Sequence, residues 1–125
     1  MMHRPLGPRH LSPTTKGEST PTVTSGTGTI TSYTSALDWV KVDDDLAFFV
    51  CTITITDNGT GATNLQFTLP FTAAQPRTPL YGHSFTGGVA LTGYISTTTA
   101  LVLAYNATYP AATGHSIEVC GVYEV

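Results

Sequence analysis

The chain has 125 residues, of which 41% are hydrophobic and 10% are charged, and its formal net charge is −3. This length suits one domain with a hydrophobic core and excludes a wholly disordered chain. The scarcity of Lys and Glu excludes a helical bundle, the negative charge argues against binding nucleic-acid phosphates, and no apolar run is long enough to span a bilayer.

Residues 1–20 differ in composition from the rest of the chain. They hold three of the five basic residues (Arg4, Arg9 and Lys16), several prolines and glycines, and few apolar side chains. Such a segment buries too little surface to offset the entropy of ordering it, so we predict a flexible N-terminal arm or linker at 1–20 and a β-sandwich domain at 21–125. No secretory signal peptide is predicted, because no apolar segment follows the basic residues.

Short strands separated by turn residues follow from Val23 onward. The strands are predicted at 27–34, 36–42, 46–56, 65–69, 84–89, 91–96, 100–105 and 116–125. Strict alternation is typical of a half-buried strand and is clearest at 46–56, where Phe49 and Cys51 share one face and Thr52 takes the other. Phe48 and Val50 break this alternation, and we expect them to pack under a loop or against another subunit.

The segment 71–82 contains Pro76 and Pro79 and is predicted to be a long connection. Turn signals recur every 8–12 residues, and no segment is long enough for a helix that covers a sheet. The fold class predicted from these observations is all-β: a jelly-roll-like antiparallel β-sandwich of about eight strands.

Polar loops give weak signals for metal binding or glycosylation. The run 43–45 consists of three Asp residues, and a hairpin turn is favoured over a Ca²⁺ site because the spacing of a calcium loop is missing. Two segments, 58–60 and 106–108, match the N-glycosylation pattern, and we interpret both as turns.

The two cysteines lie in apolar, β-branched segments. Two buried thiols in adjacent strands are favoured for Cys51 and Cys120, and a disulfide between them stays open. No CxxC or HxxxH spacing accompanies them, so no metal site is predicted.

Nucleophilic catalysis has little support in the sequence. His83 and His115 are predicted to lie in loops, each directly before a serine, but neither serine stands in a GxSxG elbow. We therefore predict a non-enzymatic protein without a cofactor.

Aromatic residues and histidines in loops and at strand edges are the better candidates for binding. Tyr and Trp combine an apolar ring with a polar group, which suits sugar recognition and protein interfaces, although packing in a core or a subunit interface remains an alternative for each ring. The candidate ligand-binding residues are Trp39, Tyr81, His83, Tyr109 and His115.

An ordered series of segments spanning about residues 22–125 resembles the C-terminal β-domain of bacteriophage tail fibres and other virion appendages. The segments that carry the resemblance are 22–33 (TVTSGTGTITSY), 39–42 (WVKV), 53–62 (ITITDNGTGA), 67–74 (FTLPFTAA), 90–95 (ALTGYI), 105–110 (YNATYP) and 121–125 (GVYEV).

The resemblance implies a virion protein that serves as a structural or receptor-binding module at the host cell surface. It implies a homotrimer, contact with a host surface glycan or protein, and contact with other virion proteins through the N-terminal arm. A stand-alone carbohydrate-binding module, which would be monomeric with a platform of exposed rings, is the alternative.

Overall fold

The computed structural model describes residues 14–125, which form nine antiparallel strands and contain no helix. The strands are β1 (Thr14–Ser19), β2 (Val23–Thr27), β3 (Ser32–Val42), β4 (Leu46–Asp57), β5 (Ala62–Thr68), β6 (Thr78–Ser84), β7 (Val89–Ile95), β8 (Thr99–Ala104) and β9 (Ser116–Glu124). They form one sheet in the order β1-β3-β4-β9-β6-β7-β8-β5-β2. The predicted all-β class is confirmed.

Alternating side chains build the central strands as the sequence predicts. In β4, Phe49, Cys51, Ile53 and Ile55 are buried, whereas the residues between them are exposed or half-buried. β9 repeats the pattern, with Ile117, Val119 and Tyr123 on the inner face. Both strands therefore present one apolar face to a common core.

The sheet curls into a half-barrel, so that strands far apart in the sheet order face each other. The ring of Phe49 on β4 lies edge-to-face with that of Phe67 on β5, with centroids 5.8 Å apart, although four strands separate β4 from β5 in the sheet. At the edges, Tyr33 on β3 accepts a hydrogen bond at its hydroxyl from the backbone N–H of Val23 on β2. The core thus lies inside the curl, between the two halves of one sheet.

The β3–β4 hairpin turn forms at the Asp run, as predicted. Asp43 and Asp44 have φ values of 59° and 52°, and the N–H of Asp45 donates to the carbonyl of Val42 at 3.0 Å. Two successive positive φ values define a type I′ turn, whose twist matches that of the flanking strands. All three carboxylates are exposed, and Lys41 lies 3.3 Å from that of Asp44.

Several strand predictions need correction. The structure has nine strands where about eight are predicted, and six residues assigned to the arm at 1–20 form β1, which pairs with β3; residues 1–13 lie outside the described part. The predicted strand 27–34 is instead the end of β2, a loop and the start of β3. Five of the twelve residues in the predicted connection 71–82 belong to β6, and most of the predicted strand 84–89 is a turn.

Candidate functional site

The outer face of the sheet divides into a polar end and an apolar end. At the polar end, Thr54 on β4 pairs with Ser116 on β9, and their hydroxyls are 2.9 Å apart. At the other end, Phe48 on β4 has Val40 on one side and Val122 on the other. Hydrocarbon therefore faces solvent at this end of the outer face.

A groove of about 480 Å³ lies in this apolar end. The side chains that line it on the outer face, here called the apolar groove, belong to Val40, Phe48, Val50, Pro79, Tyr81, Cys120 and Val122. Phe48 is 46% exposed, Val50 42% and Tyr81 65%. Of residues 14–125, Asp38 is the only charged residue at its wall.

The two cysteines lie on opposite faces of paired strands. Cys51 is buried in the core, and burial raises its thiol pKa to about 12. Cys120 is exposed in the apolar groove, so the prediction that both thiols are buried is wrong for Cys120. Both are free, and the register pairs Cys120 with Val50 rather than with Cys51, which excludes a disulfide between them in this fold.

Trp39, a candidate ligand-binding residue, is a packing residue in the structure. Its indole lies edge-to-face with Phe71, with centroids 4.7 Å apart, and it covers Gly17 of β1, where an added Cβ would come within 2.5 Å of the ring. Lys41 closes this cluster, with its ammonium 4.4 Å from the centre of the Phe71 ring. Trp39 reaches the apolar groove only at its wall.

Tyr81 and His83 lie two residues apart on the outer face of β6. The prediction that His83 lies in a loop is therefore wrong: it is paired with Glu118 on β9 and with Ala90 on β7. Its ring lies 5.8 Å from that of Phe85. Of these two candidate residues, Tyr81 alone lines the apolar groove.

Tyr109 and His115 come together at the opposite end of the molecule, in a cleft of about 270 Å³ here called the terminal cleft. It lies where β6 and β8 end and where β7 and β9 begin. Tyr109 is half-buried, and its hydroxyl donates to Oδ1 of Asn58 at 2.5 Å. Burial raises the pKa of Tyr109.

His115 is fixed through its backbone and leaves one ring nitrogen without a partner. Its N–H donates to the carbonyl of Ala112 and its own carbonyl accepts from Ile55, at 2.9 and 2.8 Å. Nδ1 is buried and makes no hydrogen bond to the described residues. The only predicted site residue that shares this cleft is Tyr109.

The arrangement does not assemble a nucleophilic triad among residues 14–125. Ser84 and His115 both lie near Gly87, but Ser84 is fully buried and its hydroxyl accepts from the N–H of Gly87. The hydroxyl of Ser116 is paired with that of Thr54. No group of three His, Cys, Asp or Glu side chains that could hold a metal ion occurs in this range, and no helix in it could cross a membrane.

Comparison with protein-family models gives no match, and comparison with curated protein sequences gives no significant match. The apolar groove and the terminal cleft are therefore interpreted from their own geometry. Sequence reasoning singled out Phe48, Val50 and Tyr81 separately, but it did not bring them together with Val40, Pro79, Cys120 and Val122 on one surface.

Proposed function

We propose that this chain is a non-enzymatic structural and receptor-binding module of a bacteriophage virion, of the tail-fibre or appendage type, which contacts the host cell surface as a homotrimer. The observation that carries the proposal is the apolar groove on the outer face of the sheet. In the proposed trimer, three copies turn this face toward a common axis, and residues 1–20 contact other virion proteins.

The size of the apolar groove supports association with further copies. Phe48, Val50, Tyr81 and Val122 together expose roughly 350 Å² if each side chain has about 150–250 Å² to expose, and patches of this size are often functional. A stable interface needs about 800 Å² per partner, so the flanking residues of the sheet must also contribute. Because the groove carries a single charged residue, identical copies meet there with little charge repulsion.

The jelly-roll-like sandwich is the finer description of the fold that belongs to this proposal. The connections β2–β3, β4–β5 and β8–β9 each join strands on opposite sides of the central strand β6 in the sheet order, as connections between the layers of a sandwich do. The contact between Phe49 and Phe67 across the core supports the same description.

Cys120 provides a direct test, because it lies in the apolar groove while the other thiol is buried. We expect the full chain to sediment as a trimer at micromolar concentration and its reaction with a maleimide to slow as assembly proceeds. Cys51 should not react with the maleimide, because burial keeps its thiol protonated and inaccessible. A stable monomer, or a Cys120 that reacts at the same rate at every concentration, would contradict the proposal.

A stand-alone carbohydrate-binding module is the second candidate, and the terminal cleft is the observation that favours it. The rings proposed for a platform do not share one surface: Trp39 is packed, Tyr81 lies in the apolar groove and Tyr109 in the terminal cleft. A monomer that binds sugar would favour this candidate over the virion module.

A further inference from the structure

We propose that the terminal cleft binds one neutral sugar residue of a surface glycan. This inference deepens the attachment function proposed above and rests on it for the source of the ligand. The cleft volume of about 270 Å³ lies just below the range of roughly 300–1,000 Å³ typical of sites for drug-sized ligands. It therefore suits a ligand the size of a single ring.

Among the described residues, the lining of the terminal cleft mixes polar and apolar side chains and includes no Asp, Glu, Lys or Arg. The polar side chains among its lining residues are those of Ser84, Tyr105, Asn106, Thr108, Tyr109 and His115. The hydroxyls of Ser84 and Tyr109 already have partners, in the N–H of Gly87 and in Oδ1 of Asn58. Such groups donate and accept hydrogen bonds without attracting an ion. A ligand with several hydroxyls and no charge matches this set.

Tyr105 supplies an aromatic surface at the mouth of the cleft. Its side chain is 66% exposed, and its hydroxyl makes no hydrogen bond to the described residues. An exposed tyrosine offers an apolar ring to the C–H face of a sugar and a hydroxyl to its edge. The ring of Tyr105 packs against little of its own chain, so it is available to contact a ligand.

The loop that carries Tyr105 is held by its own hydrogen bonds. Ala107 adopts a left-handed φ of 64°, and its N–H donates to the carbonyl of Ala104 at 2.8 Å. The N–H of Ala104 in turn donates to the carbonyl of Thr108 at 2.9 Å. A conformation of this kind costs about 1 kcal/mol or more for a residue with a Cβ and persists where the surroundings fix it. The cleft wall is thus ordered before a ligand arrives, which lowers the entropy lost on binding.

Two polar groups in the cleft have hydrogen-bonding capacity that the described chain does not use. Oδ1 of Asn106 accepts from the hydroxyl of Thr108 at 2.6 Å, which orients the amide and leaves its NH₂ group to donate. Nδ1 of His115 has no partner. A hydroxyl-rich ligand offers partners for the amide directly and for the imidazole after a small shift of its ring.

The test is an NMR titration of the full ¹⁵N-labelled chain with D-glucose, D-galactose, L-rhamnose and N-acetyl-D-glucosamine, each up to about 50 mM. We expect at least one sugar to shift the amide signals of residues 105–109 and His115, with a Kd of about 1–10 mM. Tyr105→Ala should weaken this binding at least about tenfold, which corresponds to 1.4 kcal/mol. Tyr94→Ala is the matched control, because Tyr94 is an exposed tyrosine near the other end of β7, and it should leave the affinity unchanged.

Each other result overturns the inference. These results are no shift with any sugar, shifts centred on the apolar groove, and binding that Tyr105→Ala leaves intact. Sedimentation of the same samples separates the two proposals. A trimer that binds no sugar contradicts only the proposal that the terminal cleft binds sugar. A monomer that binds sugar contradicts the trimeric attachment module and supports sugar binding in the terminal cleft.

Discussion

Phe48→Thr should disrupt assembly without harming the fold. Phe48 lies on the outer face and is 46% exposed, so it contributes little to the core of one copy. Threonine suits the strand and matches the hydroxyl-bearing residues at Thr52 and Thr54 on the same face. We expect the free energy of unfolding of the monomer to change by no more than about 0.5 kcal/mol.

The expected effect on assembly follows from the area that Phe48 leaves in water. If the side chain exposes about 200 Å² when free, 46% is about 90 Å², which is worth about 2 kcal/mol at 25 cal/mol per Å². Three copies lose about 6 kcal/mol, or a factor of roughly 10⁴ in the trimer association constant. Because the concentration at half-assembly scales with the inverse square root of this constant, it should rise about 100-fold.

Sedimentation velocity over a dilution series measures this shift. Phe85→Thr is the matched control, since Phe85 is also an exposed phenylalanine but lies in the β6–β7 turn, outside the apolar groove. Its half-assembly concentration should equal that of the wild-type chain. The reasoning is refuted if Phe48→Thr assembles as well as the wild type does, or if both variants lose assembly equally.

Three further predictions concern stability, each measured by urea unfolding. Burial raises the thiol pKa of Cys51 from 9.0 to about 12, so this thiol ionises at a lower pH in the unfolded chain than in the folded one. The free energy of unfolding should therefore fall as the pH rises from 9 to 12. The part of this fall that Cys51 causes should disappear in Cys51→Ala. Phe49→Ala should destabilise the fold by about 3–5 kcal/mol, because its ring joins the two halves of the sheet; a loss below about 1 kcal/mol would contradict the contact. Gly93→Ala should destabilise strongly, because the new Cβ would lie 1.9 Å from the carbonyl oxygen of Leu101, whereas the neighbouring exposed Thr92→Ala should change stability by about 0.5 kcal/mol or less.

The central strands could be predicted because their pattern is local. β4 was predicted at 46–56 and runs from Leu46 to Asp57, and β9 was predicted at 116–125 and runs from Ser116 to Glu124. In both strands the apolar residues recur with period two, since one face packs on the core and the other does not. A pattern of this kind needs no knowledge of the neighbouring strands.

The missed strands depend on partners that the local pattern does not reveal. β1 (TTKGES) has almost no apolar residues and forms because it pairs with β3, where Gly17 makes room for the ring of Trp39. β6 begins at Thr78 and includes Pro79, which lies beyond the ladder with β9 and pairs with β7 alone. Proline is tolerated at such a strand end, so the presence of Pro79 did not require a loop at this position.

The terminal cleft could be predicted only in part. Tyr109 and His115 were both candidates, but their meeting depends on where β8 ends and β9 begins, and the sequence does not give that placement. Tyr105 and Asn106 are not among the five predicted ligand-binding residues. The signal that could have found them is the tight turn at 105–108, which places an exposed ring beside the loop that carries Tyr109.

The outer face shows why alternation is informative even where it fails. The pattern that puts Ile117, Val119 and Tyr123 inside also puts Cys120 outside, so the exposure of this thiol follows from its place in the strand rather than from its residue type. The same parity turns Phe48 toward solvent in β4. A strand with one buried face needs one apolar face, and the start of β4 has two. The second apolar face contributes little to the core of a single copy, and this is the physical ground for proposing that further copies cover it.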